Sequence, residues 1–261
     1  MSIFSLLKLK EAEYTEGIDH PSTTLLHGRI IQKKPFLKRL YLDFYGLIKN
    51  ELEGLPAGAE AKIVEIGSGS GFIKEVLPDA ITSDTLDLPG VDMNFSALDM
   101  PFEDSSVDAY IMIDVFHHLP EPALFLKEAA RTLRSGGRIV MIEPAVTAWS
   151  RLIYENLHHE DFDPRAGWSF DATGPLSSAN IALPWIIFSR DLGEFEEKFP
   201  MLRRVSLVNH TPFLYLFSGG VSLKQLAPSF SYGAVKGFET ILSPIRNYLS
   251  MFMTIRVDKI S

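Results

Sequence analysis

The stretch Ile63-Val64-Glu65-Ile66-Gly67-Ser68-Gly69-Ser70-Gly71-Phe72 joins a short apolar run to three glycines spaced two apart. An apolar, β-branched run of this length predicts a buried strand, and glycines directly behind it predict a tight turn that opens a helix. Glycine serves two needs there. The turn visits backbone angles closed to other residues, and a ligand can approach the backbone with no side chain in the way. The spacing is G-x-G-x-G. A dinucleotide-binding turn, G-x-G-x-x-G, would need a glycine where Phe72 stands, and a phosphate loop would end in G-K-[ST]; neither pattern is met.

Downstream, short apolar strands are expected at 62–66, 80–84, 93–97, 109–113 and 138–143, with helical stretches between them. That alternation predicts an α/β fold with a parallel sheet. The best-defined helix is 122–133: Pro122 opens it, Ala123, Leu126, Ala130 and Leu133 line one face, and Gly136-Gly137 stops it. Upstream, 25–52 has helical spacing with a break or start at Pro35, and Gly54-Leu55-Pro56-Ala57-Gly58 is a turn. Beyond Glu143, a helix is expected at 148–157, a loop at 168–180, and strands at 203–209 and 253–257. There is no internal repeat and no low-complexity tract.

Two carboxylates stand where the sheet's carboxyl edge should be. Asp84 ends the second strand, where it can accept both hydroxyls of a ribose. Asp99-Met100-Pro101-Phe102 follows the third, where a carboxylate and a neighbouring amide can read an adenine edge. Together, Val64 to Phe72, Asp84, Ala97 to Phe102 with Asp108, His117-His118-Leu119-Pro120 and Leu133 to Arg138 resemble the class I S-adenosylmethionine-dependent methyltransferases. The likeness is to their small-molecule, type 11-like branch and covers roughly 62–144. It implies a Rossmann-like, seven-stranded, mostly parallel sheet with helices on both faces and an antiparallel last strand near 253–257. It also implies roles: Gly67, Ser68, Gly69 and Gly71 cradle S-adenosyl-L-methionine, with Glu65 bracing the loop. Asp84 holds the ribose, Asp99 and the Met100 amide hold the adenine, and Asp114 faces the methionine ammonium. Between Asp84 and Met93 there is too little chain for the helix usual in that family, so Asp87 is the fallback ribose ligand.

Of the chain's 261 residues, 25 are Lys or Arg and 33 are Asp or Glu, and the net charge of −8 disfavours nucleic acid as a partner. With no cysteine, disulfides, thiolate zinc sites and cysteine nucleophiles are excluded. Residues 1–10 carry Ile3, Phe4, Leu6 and Leu7 ahead of Lys8 and Lys10, without a cleavage site, and no run is long and apolar enough to span a bilayer. A cytoplasmic location is the default. Residues 1–58 are expected to form a helical lead-in and cap, and 59–261 the methyltransferase domain, with a lid and acceptor-side extension at about 145–235.

Methyl transfer from a sulfonium is an in-line displacement, in which alignment supplies much of the rate. A hydroxyl acceptor also profits from a general base. The candidates are His117 and His118 after the fourth strand, Glu143 after the fifth, and His158, His159, Glu160, Asp161 and Asp163 beyond it, with His117 and His158 preferred; the plainer expectation for His118 is that it packs or hydrogen-bonds in its turn. His158-His159-Glu160-Asp161-Phe162-Asp163 lacks the His spacing of H-E-x-x-H, so no metal is expected, and the run suits solvated charges on a lid with one His turned inward. The apolar runs 183–188 and 212–217 suit core, an acceptor pocket or a peripheral membrane contact. The 162–164, 174–177 and 218–223 segments look like a bacterial subgroup associated with surface polysaccharide genes. The expected reaction is O-methylation of a small molecule, sugar or lipid-linked glycan. C-methylation of a quinone-like ring, or a non-catalytic cofactor-binding module, are the alternatives.

Overall fold

A computed structural model describes residues 7–9, 17–158 and 160–260, so most of the 1–10 run, and His159, lie outside the described residues. The sheet is built around β4, Val107–Ile113, where every residue from Val107 to Met112 is buried. A strand covered on both faces belongs in the interior of a parallel sheet. The other strands are β1 (Ile63–Glu65), β2 (Ile81–Asp84), β3 (Met93–Asn94), β5 (Leu133–Pro144), β6 (Leu202–His210) and β7 (Phe252–Lys259), in the order β3-β2-β1-β4-β5-β7-β6. β7 runs antiparallel to both neighbours, as expected of the last strand; the pairs from β3 through β5 are parallel.

The helices follow from local chemistry. The lead-in splits into α1 (Pro21–Lys33) and α2 (Pro35–Glu51), because the Pro35 ring bars helical geometry at Lys34. α3 (Pro122–Thr132) starts on its proline, and α4 (Ala148–Leu157) starts on a capping box between Thr147 and Ser150. Alternation along the strands divides the core. Ala109, Ile111, Val140 and Ile142 face α2 through Phe36, Leu37, Leu40, Phe44 and Ile48. Tyr110, Met112, Ile139 and Met141 face Phe125, Leu126 and Ala129 of α3, together with Leu183, Ile186, Ile187 and Phe188. The apolar run 183–188 is therefore core.

Three elements differ from expectation. The helix expected behind the glycine turn is one 3-10 turn, Ile73–Glu75, since Leu77-Pro78 follows too soon for more. The sheet face beside it is covered by α2, whose apolar side packs on Phe72, Ile73 and Ala80. β3 ends at Asn94 rather than 97. β5 begins at Leu133, so Gly136 (φ +77°) shapes the entry of a strand rather than stopping a helix.

Candidate functional site

At the carboxyl edge of β1 the chain turns through Gly67 (φ +65°) and Gly69 (φ +52°), both left-handed. A Cβ at Gly67 would lie 2.6 Å from a Val115 methyl, and one at Gly71 would lie 2.7 Å from the Tyr45 hydroxyl and 2.8 Å from the Ser68 carbonyl. These glycines are required by the protein's own packing as well as by any ligand. Ser68 ties the turn to β2: its amide donates to the Ser83 carbonyl (2.8 Å) and its Oγ accepts from the Ser83 amide (3.1 Å). α1 lies over the turn, with Thr24 against Gly69 and Gly28 against Ser70.

Three side-chain atoms around this turn, Glu65 Oε2, Ser70 Oγ and Thr24 Oγ1, are buried without a hydrogen-bond partner. Each such group costs about 1–3 kcal/mol. A polar ligand lying along the turn would relieve that cost, and S-adenosylmethionine, with its ammonium, carboxylate and ribose hydroxyls, fits this donor and acceptor set.

The carboxylates divide the labour differently from the expectation. Asp84 Oδ2 accepts from the Gly69 amide (2.8 Å) and Oδ1 from the Leu86 amide (2.9 Å), so Asp84 does the loop bracing expected of Glu65. Each oxygen retains a second lone pair for a ribose hydroxyl. Burial raises its carboxyl above the ordinary range. Glu65 is buried, and burial pushes its carboxyl up to about 7 against the opposing Ser68 and Tyr45 hydroxyls.

That shift has a measurable sign. Below pH ~4.5 the side chain is protonated in both folded and unfolded chains and nothing is lost. Between about 4.5 and 7 only the unfolded chain ionises, so stability falls as pH rises, by up to about 3 kcal/mol. Glu65→Gln should therefore leave ligand-free stability little changed at pH 4 and raise it at pH 8, as read by urea denaturation; an equal effect at both pH values would refute the shift.

On the side expected to hold the adenine, Asp99 is exposed and the Met100 amide donates to Glu128 Oε2 (3.0 Å). Glu128 is itself clamped by Arg131 at 2.6 Å. The expectation that Met100 offers its amide to a ring is corrected: the amide is already engaged in fixing the turn to α3. Asp114, at the end of β4, holds a left-handed backbone (φ +56°), which an Asp tolerates better than most residues. Burial, with Glu143 and Glu160 nearby, pushes its carboxyl up to about 7, against His117, which lowers it.

The catalytic candidates converge only in part. Glu143 is fully buried, accepting from the Val115 (2.9 Å) and Phe116 (2.7 Å) amides on Oε1 and holding His117 Nδ1 at 2.7 Å on Oε2. It has no face toward an acceptor, so the expectation of a catalytic Glu143 becomes one of a positioning residue. His117 is buried, and its Nε2 lies 3.6 Å from Glu160 Oε2. Burial disfavours its charge, but the two carboxylates outweigh that and hold its pKa well above the usual imidazole range. His118, expected to pack or hydrogen-bond in its turn, is held by a more distant segment. Its Nδ1 meets the Ser178 carbonyl (3.0 Å), its Nε2 lies 3.8 Å from Glu160 Oε1, and burial beside His117 lowers its pKa to about 4. His158 stands further out, edge-on to Tyr154, with Nδ1 3.8 Å from Glu160 Oε2.

Glu160, one of several candidates in its charged run, is thus the hub of the cluster. It was placed in a solvated run, yet its side chain is 18% exposed and turned toward three imidazoles. It opens on a cavity of about 210 Å³ lined by Ile18, Asp161, Leu176, Ser177 and Ala179. Asp19 closes this rim by accepting from the Leu176 (2.7 Å) and Ser177 (2.9 Å) amides.

Residues 64–141 match the model of a methyltransferase domain family. A probable phthiotriol/phenolphthiotriol dimycocerosates methyltransferase of Mycobacterium ulcerans is 29% identical over 115 residues, 41% of this chain and 45% of that one. A 2-methyl-6-phytyl-1,4-hydroquinone methyltransferase of Oryza sativa is 33% identical over 103 residues, 32% of this chain and 29% of that one. The matched stretches thus span less than half of these relatives. Geranyl diphosphate C-methyltransferase of Streptomyces coelicolor superposes with a TM-score of 0.52 at 14% identity, over 96% of this chain and 89% of that one. The chain carries a class I, S-adenosylmethionine-dependent methyltransferase domain. Among the described residues no helix is long and apolar enough to cross a membrane.

Proposed function

We propose that the protein transfers a methyl group from S-adenosylmethionine to an oxygen of an apolar small molecule. The observation that carries the transferase reading is the glycine turn with three buried, unpartnered polar atoms around it. Bound there, S-adenosylmethionine supplies an electrophilic methyl on a sulfonium whose sulfur departs as a neutral thioether. Gly67, Gly69 and Gly71 seat it, Asp84 fixes the turn and accepts from the ribose, and Asp114 faces the ammonium.

Oxygen as the acceptor atom is supported by the imidazole and carboxylate cluster beside that edge. A hydroxyl must shed its proton as its bond to the methyl carbon forms, and His117, His118 and Glu160 provide polar groups for that charge; a carbon nucleophile would leave them without a task. An apolar acceptor is supported by the lipid-like compounds named for the two curated relatives. The test is incubation with methyl-labelled S-adenosylmethionine and a butanol extract of the source cell, followed by carbon NMR of the product. A methoxy resonance is expected. A C-methyl resonance would overturn the oxygen assignment while keeping the transferase.

A further inference from the structure

His117 and His118 have the same arrangement, although their partners differ. Each ring directs Nδ1 at a fixed oxygen, Glu143 Oε2 at 2.7 Å in one case and the Ser178 carbonyl at 3.0 Å in the other. In a neutral ring an Nδ1 that donates leaves Nε2 with its lone pair, so an ion would displace any proton held there; both Nε2 atoms converge on the Glu160 carboxylate. The separations, 3.6 and 3.8 Å, exceed a good hydrogen bond. One donor atom from each of the three residues lies within 4.8 Å of the others. Three ligands each about 2.0–2.1 Å from a tetrahedral ion would stand roughly 3.4 Å apart. Imidazoles that bind metal characteristically give their other nitrogen to a carboxylate or carbonyl, which fixes the tautomer.

We propose that Nε2 of His117, Nε2 of His118 and the Glu160 carboxylate form a site for a divalent transition-metal ion of the zinc type. Two nitrogens and one carboxylate oxygen suit zinc, cobalt or iron(II) over magnesium and calcium, which take oxygen ligands. Of the three ligands, Glu160 also lines the cavity of about 210 Å³, which gives an ion a route in and room for an oxygen ligand. The ion's role rests on the methyl-transfer reading above: an acceptor hydroxyl bound to it loses its proton more readily, and the resulting oxygen attacks the methyl carbon. Ion binding itself does not depend on that reading.

The test is titration of the full chain, without cofactor or acceptor, with Co²⁺ followed by visible absorption and with Zn²⁺ by calorimetry. One equivalent per chain, intense tetrahedral Co²⁺ bands and a zinc-dependent rise in melting temperature are expected. His118→Gln and Glu160→Gln should each weaken Zn²⁺ binding at least tenfold and abolish that rise. X-ray absorption of the zinc-loaded unmutated chain keeps the proposal falsifiable should either variant fold poorly: two imidazoles in the coordination shell are expected. No saturable binding, a shell without imidazole, or unchanged affinity in both variants would overturn the site. Methyl transfer that persists in the metal-stripped protein would overturn the ion's role but not the transferase reading.

Discussion

Gly67→Ala is expected to weaken S-adenosylmethionine binding by about 100-fold. At φ +65° any residue with a Cβ carries strain of about 1–2 kcal/mol, and here the new Cβ would lie 2.6 and 2.8 Å from the two Val115 methyls. Val115 cannot withdraw freely, because its amide is held at 2.9 Å by Glu143. The turn must therefore move, carrying with it the amides and carbonyls that a ligand would meet. Strain and displacement together amount to about 3 kcal/mol, which sets the hundredfold figure. Gly46→Ala in α2 is the matched control: no atom lies within 4 Å of its Cβ position, so affinity should be unchanged and stability should rise by about 0.5–1 kcal/mol. Calorimetry on both variants decides it, and a Gly67→Ala affinity within twofold of the unmutated protein would remove the turn from the cofactor site.

Glu143→Gln is expected to lower kcat/KM by 10²-fold or more, with a much smaller loss of stability. The amide oxygen can still accept from Val115 and Phe116, the two backbone donors now on Oε1. The amide nitrogen then faces His117 Nδ1 and donates to it, which forces the ring proton onto Nε2. That tautomer can neither accept from a hydroxyl nor bind an ion. Losses of about 10⁴ accompany the corresponding tautomer reversal in serine protease triads. Glu143→Ala is a different experiment: it strands three buried donors and should cost about 3–5 kcal/mol of stability. Nitrogen NMR of the His117 ring separates the two effects, and a Glu143→Gln enzyme with full kcat/KM would contradict the positioning role.

The fold was legible because its signals are local. An apolar run, three glycines and Pro122 or Pro35 each act within a turn of chain, and β4 shows its central place by being apolar almost throughout. The missing helix behind the glycine turn was not read, although Leu77-Pro78 forbids it, because the motif ahead of it suggested a longer element. On the cofactor side, the loop residues and Asp84 were recognisable, but the division of work between Asp84 and Glu65 depends on which carboxylate the Gly69 amide reaches, a matter of three-dimensional register. The Met100 amide was misassigned for the same reason: its partner, Glu128, comes from α3. The acceptor side was least legible. Glu160 meets His117 and His118 only after the chain has laid down β5 and α4 and turned back, and nothing in the charged run around it distinguishes an inward carboxylate from solvated ones.

The most direct measurement of the central claim is transfer of label from S-adenosylmethionine, labelled in its methyl group, into an extract of the source cell lacking this protein, partitioned between butanol and water. Label that enters the butanol phase only when the protein is added, and is lost with Gly67→Ala, is the predicted result. No protein-dependent label in either phase would contradict the account and leave a cofactor-binding module without catalysis.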